Sequence, residues 1–318
     1  MKRQIVIAIA LIALAGALPL LGNNYWLRLG TFMAMYAVLA LSWNFIGGLA
    51  GYPSFASAAF FGLGAYVGGV AQKFGWATYA AWGTAGIVTM AFAALLGLAL
   101  LRLRGHYFAI ASLVIAEVLR EICNTATDLT GGGMGLNLPV PKTNIADTAT
   151  LFYWVMLGLA GAALATTIAV IHLPLGFGLR CIKQNEPAAD MIGVNTTLYK
   201  VAAFALSAVF AGTAGAVYAS WVHYIEPPDV FDVLYAVKPI VMVLLGGAGS
   251  VFGPVIGAAL FLSLEELVWR NYLAVHSGVL GLLIVLLVFF LPKGVMSIGS
   301  RFNIGTWFKA KPKVEPVA

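Results

Sequence analysis

The sequence predicts an all-α polytopic membrane protein with about ten transmembrane helices. Three observations carry that expectation. Of 318 residues, 61% are hydrophobic and only 9% charged, against about 45–50% and roughly 25% in soluble domains. The mean hydropathy is +0.94. The apolar runs are continuous, as over 5–21 and 278–291, whereas the strands of outer-membrane barrels alternate apolar and polar residues. A soluble enzyme is excluded. No hydrophilic stretch holds a further domain of about 100 residues.

The expected spans, at about 20 residues each, are 5–21, 30–48, 53–72, 78–101, 105–121, 151–173, 201–221, 237–247, 252–268 and 275–292. The first follows Met1-Lys2-Arg3 and contains Ala15-Gly16-Ala17, which gives it some features of a secretory signal peptide. Its length and the spans that follow make it a retained helix. The third is rich in Gly, Ala and Ser and is a candidate for partial re-entry. The eighth and ninth are short, and Gly246-Gly247-Ala248-Gly249 between them is either a tight turn or a break inside one membrane-embedded segment. Such breaks survive only under protein cover or beside a wet cavity. Residues 1–292 thus make a transmembrane domain, and 293–318 a basic tail at the lipid surface.

With the N-terminus inside, twelve of the eighteen Lys and Arg fall in inner connections and the tail. The other six are Arg28, Lys73, Arg120, Lys142, Lys238 and Arg270. This excess places both termini in the cytoplasm. The net charge of +6 is therefore a topology signal and not a nucleic-acid footprint. Cys123 and Cys181 fall on opposite sides, so no disulfide joins them.

Two hydrophilic connections stand out. The outer one, about 122–150, carries Thr130-Gly131-Gly132-Gly133-Met134-Gly135. It lacks the Lys-Ser or Lys-Thr of a phosphate loop and reads as a compact turn-rich loop. In the inner one, about 174–200, Asn185 is a good N-cap, Glu186 and Pro187 fill a first turn, and Gly193 is a helix stop. A helix of about two turns is unstable alone, so it docks on its own domain or on a partner. Ala188, Ala189 and Gly193 keep its surface small, Met191 and Ile192 add apolar knobs, and Arg180 and Lys183 form a basic flank.

Other features are weighed against plainer explanations. Ala203, Ser207, Ala211 and Gly215 share one helix face and suit close packing, either within the subunit or against a second one. Glu117 is the only acid placed well inside a span, and it fits an i, i+3 ion pair with Arg120 or a place on a translocation path. His106, His172, His223 and His276 are scattered without metal spacing, and no Gly-x-Ser-x-Gly nucleophile motif occurs. Residues 47–51 and 246–249 are similar glycine runs, each before an Ala-, Gly- and Phe-rich helix. Duplication and biased composition explain that echo equally.

The segment Asn185-Glu186-x-Ala188-Ala189-x-x-x-Gly193 resembles the coupling loop of ATP-binding-cassette (ABC) importer permeases, with Glu186 displaced one place by Pro187. In that form it is similar to the branched-chain amino acid permeases of the LivM type. Gly51-Tyr52-Pro53-Ser54-Phe55, the run from Phe60 to Tyr66, Arg102 to Ala109, Thr130 to Gly135, the small residues of 203–215 and Gly246 to Ala258 resemble that family in the same order. The resemblance implies an ABC importer permease fold and a place in the bacterial inner membrane. It further implies a second related permease, two cytoplasmic ATPase subunits and a periplasmic binding protein for leucine, isoleucine or valine. ATP and Mg would bind the ATPases, and this chain would hold no cofactor. Relatives handling urea or short amides share such motifs. An ion-gradient-driven secondary amino acid carrier is the alternative from another class.

Overall fold

The computed structural model describes residues 2–21, 23–103, 105–139, 145–271, 278, 281, 294 and 295. All but two residues of the expected tenth span, and nearly all of the tail, lie outside them. The helices are α1 Lys2–Gly16, α2 Asn24–Trp43, α3 Ser57–Lys73, α4 Thr78–Leu100, α5 His106–Thr125, α6 Thr127–Thr130, α7 Ile145–His172, α8 Pro174–Gln184, α9 Glu186–Met191, α10 Thr196–Val222, α11 Pro227–Val230, α12 Leu234–Gly246 and α13 Gly253–Asn271. Nine of them coincide with the first nine expected spans, with ends shifted by up to six residues.

Asn24–Leu49, Thr78–Leu100, Thr148–His172 and Thr196–Val222 are each long and apolar enough to cross a bilayer alone. The 13 residues of α12 reach about 20 Å at 1.5 Å per residue, less than the roughly 30 Å of a hydrocarbon core. It is instead one arm of a tight antiparallel hairpin with α13. A Cβ at Gly246 would strike the Gly253 carbonyl, and one at Gly257 the Met242 carbonyl. Between the arms the backbone turns at Gly247 and Gly249, with φ of +120° and +81°, values that favour glycine. The glycine run is therefore a turn.

At the centre lies α10, clasped by α3 and α4. Ala203, Ser207, Ala211 and Gly215 are all buried inside this subunit. A Cβ on Gly215 would overlap the Phe61 carbonyl, and one on Gly64 the Gly212 carbonyl. The small-residue face is thus an internal seam, and of its two readings the seam with a second subunit is set aside. Ser220 accepts hydrogen bonds from Gln72 Nε2 and Trp82 Nε1, each at 2.8 Å, closing the polar groups of three helices on one another.

After α2 the chain opens into a π-helical turn, Asn44–Leu49, a conformation that is rare and often functional. The irregular stretch before α3 is partly buried, and its inward polar groups are satisfied. Trp43 Nε1 donates to the Ser54 carbonyl at 2.7 Å, and the Phe55 N–H donates to Ser112 Oγ at 2.9 Å. That non-helical entry is all of the expected re-entry the segment shows. Asn44 then joins the two glycine runs, accepting from the Gly249 N–H at 2.8 Å and donating to the Ser250 carbonyl at 3.1 Å.

The alternation of loops is coherent. At one face, Gln4 meets His172, Lys200 meets Glu186, and the Val295 N–H donates to the Leu245 carbonyl at 2.7 Å. At the opposite face, β1 (Leu136–Asn137) pairs antiparallel with β2 (Tyr224–Ile225), and Tyr25 bonds Glu266. Each contact joins segments that the charge count put on one side. Cys123 and Cys181 are free thiols. The described part of the connection after α5 is turn-rich, with Gly131, Gly132 and Gly135 all at positive φ. Its β1 pairs with β2 in the separate connection after α10, a ladder the sequence does not announce.

Candidate functional site

The connection over about 174–200 is more ordered than a loop with one short helix. An additional helix, α8, precedes the expected one. Pro174 starts it, where a missing N–H costs nothing. Gly176, Leu179 and Ile182 are buried at three-residue spacing. Glycine is a weak helix former, which hides α8 in the sequence. The structure requires it here, because a Cβ on Gly176 would meet the Val170 carbonyl and one on Gly178 the Tyr199 ring.

Both ends of α9 form as expected. Asn185 Oδ1 accepts from the Ala188 N–H at 3.2 Å. At the other end the Val194 N–H reaches the Ala189 carbonyl at 3.1 Å, and the Gly193 N–H the Asp190 carbonyl at 3.0 Å. That bond pair is a Schellman motif, with Gly193 at φ +86°. Space around Gly193 is open, so its glycine serves the backbone conformation. Met191 and Ile192 stand out at 86% and 67% exposure, and Ala188 lies beside them on the surface. Ala189, by contrast, is 2% exposed and packs against its own subunit.

Glu186 is the tether. Its Oε1 lies 2.6 Å from Lys200 Nζ, and its Oε2 accepts from the Tyr52 hydroxyl at 2.5 Å. Lys200 is buried and also donates to Tyr52 Oη at 3.1 Å and to the Leu101 carbonyl at 3.0 Å. Its ammonium lies 4.9 Å from the centre of the Tyr52 ring. The first residue of α9 is thereby fixed to the approach to α3, the end of α4 and the second turn of α10. Arg102, Thr196 and Thr197 join Glu186 and Lys200 around a polar cavity beside it.

The basic flank is exposed but bonded back onto its own subunit. Arg180 donates to the carbonyls of Gly176 and Ile171, each at 3.1 Å. Lys183 Nζ donates to the Gly48 carbonyl at 2.7 Å, where the two glycine runs meet. Glu117 is far from this end. It pairs with Arg120 on the exposed side of α5, as the i, i+3 reading expects.

Sequence reasoning missed Lys200 and Tyr52 as site residues. Lys200 counted only as an inner positive charge, yet a lysine one turn inside an apolar helix needs a partner, and that was the available signal.

The chain is thus a multi-pass helical membrane protein that presents a short, rigidly tethered helix beyond one end of its bundle. It belongs to the family described as Branched-chain amino acid transport system / permease component, whose model matches residues 25–290. It is 28% identical over 321 residues to the high-affinity branched-chain amino acid transport system permease protein LivM of Salmonella typhimurium, covering 92% of this chain and 75% of that one. LivM of Escherichia coli strain K12 gives the same identity and coverage. LivH, another permease protein of the high-affinity branched-chain amino acid transport system in that strain, is 25% identical over 84% of this chain and 92% of its own length. No solved structure matches.

Proposed function

We propose that this chain is the permease subunit of an ABC importer that moves leucine, isoleucine and valine across the bacterial inner membrane. It pairs with a second related permease, receives substrate from a periplasmic binding protein, and is driven by two cytoplasmic ATPase subunits that hold ATP and Mg. Both termini then face the cytoplasm.

The observation that carries the reading is α9. Its Met191 and Ile192 project into solvent, while Glu186 behind them is bonded to a buried lysine and to Tyr52. A helix this short holds its shape only by docking, and exposed apolar knobs on a rigid base suit a partner's groove. Movement of the partner would pass through Glu186 and Lys200 into α10 and the segment before α3. Family membership supports the substrate class, and likeness to both LivM and LivH supports a paired permease.

The test is purification from native membranes in mild detergent. Two ATPases and a second permease should accompany the parent chain, and Met191→Glu/Ile192→Glu should lose the ATPases while keeping the permease partner. A chain that purifies alone and takes up amino acids on an ion gradient without ATP would establish the secondary carrier instead.

A further inference from the structure

A second pair of charges lies at the opposite end of the bundle, inside the α12–α13 hairpin. Lys238 Nζ is 2.6 Å from Glu265 Oε1, and their side chains are 21% and 23% exposed. Lys238 is the fifth residue of α12, and Glu265 lies six residues before the end of α13. At 1.5 Å per residue both sit within about 10 Å of their helix ends. A charge pair half open to hydrocarbon is costly, so this one faces water or protein.

Three features show more than a clamp between helices. Glu265 Oε2 is buried and has no hydrogen-bond partner among the described residues, a cost of about 1–3 kcal/mol or more for a charged group. A clamp would use both oxygens. Pro239, beside Lys238, has no N–H and so cannot donate to the Tyr235 carbonyl one turn back. An aromatic wall adjoins the charges. Lys238 Nζ lies 5.5 Å from the Tyr36 ring centre, Tyr36 stacks on Tyr235 at 6.0 Å, and Tyr235 stacks on Phe61 at 4.3 Å.

We propose that Lys238 and Glu265 receive the head group of a zwitterionic α-amino acid at the outer end of the transport path. The Lys238 ammonium takes the substrate carboxylate, Glu265 takes the substrate ammonium through its unused oxygen, and the apolar side chain rests towards the aromatic wall. The pair and the zwitterion are each neutral overall, so exchanging partners moves no net charge into the low-dielectric interior. This assignment rests on the amino acid transport reading above.

The experiment uses the complete transporter in proteoliposomes and reads ATP-driven leucine uptake per assembled complex. The variants are Glu265→Gln, which keeps size and a polar contact to Lys238, and the double variant Lys238→Met/Glu265→Met. An ion pair that only clamps helices is replaceable by apolar residues of similar volume at little cost. The expected result is at least a tenfold loss of uptake per assembled complex in both variants, with ATP hydrolysis in the absence of binding protein retained. Uptake within twofold of the parent in either variant would make the pair a clamp and overturn the assignment alone. A parent that takes up no α-amino acid would overturn the transport reading and the assignment with it.

Discussion

The ammonium of Lys200 and the carboxylate of Glu186 lie 2.6 Å apart, with side-chain exposures of 5% and 15%. This bond joins the first residue of the projecting helix to the first turns of the central one. Removing one member of a buried pair costs about 3–5 kcal/mol, and slight water access to Glu186 trims this. Lys200→Met should therefore lower stability by about 2–3 kcal/mol, read by thermal unfolding in detergent. Lys200→Met/Glu186→Gln should regain part of that loss without regaining transport. Full transport by the double variant would remove the tether from the mechanism.

Gly193 separates backbone from bulk. Its φ of +86° penalises any residue with a Cβ, by about 1 kcal/mol for Ala and less for Asn. No atom crowds the position. Gly193→Asn should keep most ATPase recovery in a pull-down, while Gly193→Arg should lose it at similar thermal stability. Equal losses would mean that turn geometry alone matters.

Two glycines in neighbouring helices should answer oppositely to the same change. A Cβ at Gly64 would overlap the Gly212 carbonyl, whereas at Gly83 it meets nothing. Gly64→Ala should cost about 3 kcal/mol, since backbone cannot step aside. Gly83→Ala should be neutral or gain up to about 1 kcal/mol from helix propensity. Their melting temperatures in detergent give the comparison.

His223, just past α10, should make stability pH-dependent. Partial burial holds its pKa below the ordinary 6.5, and its Nδ1 has no hydrogen-bond partner among the described residues. The unfolded chain then binds a proton that the folded chain refuses. This contribution is complete above pH 6.5 and is lost as pH falls from there towards the folded value. The residue also holds φ +61°, which Asn tolerates. His223→Asn should flatten the decline in melting temperature as pH falls below about 6.5. An unchanged slope would place the titration elsewhere.

Much of this architecture is legible in the sequence because its signals are local. Asn185 and Gly193 mark both ends of α9, since capping depends on residues within one turn. Nine spans follow from apolar runs bounded by Gly, Pro and charge. The Glu117–Arg120 pair follows from helical spacing. Contacts between distant segments were not legible. Lys200 finds Tyr52 and Glu186 finds Lys200 only once α10 lies against the approach to α3. The glycine run offers a turn between α12 and α13, but nothing in either helix announces that Lys238 meets Glu265 across it. Helix α8 was hidden by glycines chosen for packing at the expense of propensity.

The pairing of Leu136 with Ile225 also sets an order of events in time. Ile225 follows Leu136 by 89 positions in the chain, with α7 and α10 between them. At roughly 5–20 residues per second, a ribosome needs on the order of 4–18 s to make the second strand after the first. During that interval the segment after α5 stands without its partner. The ladder therefore works as a completion mark, closing only after both long helices have been threaded and have returned the chain to the same rim. A truncated chain ending before residue 224 should leave that segment open to protease, and one extending through residue 230 should shield it.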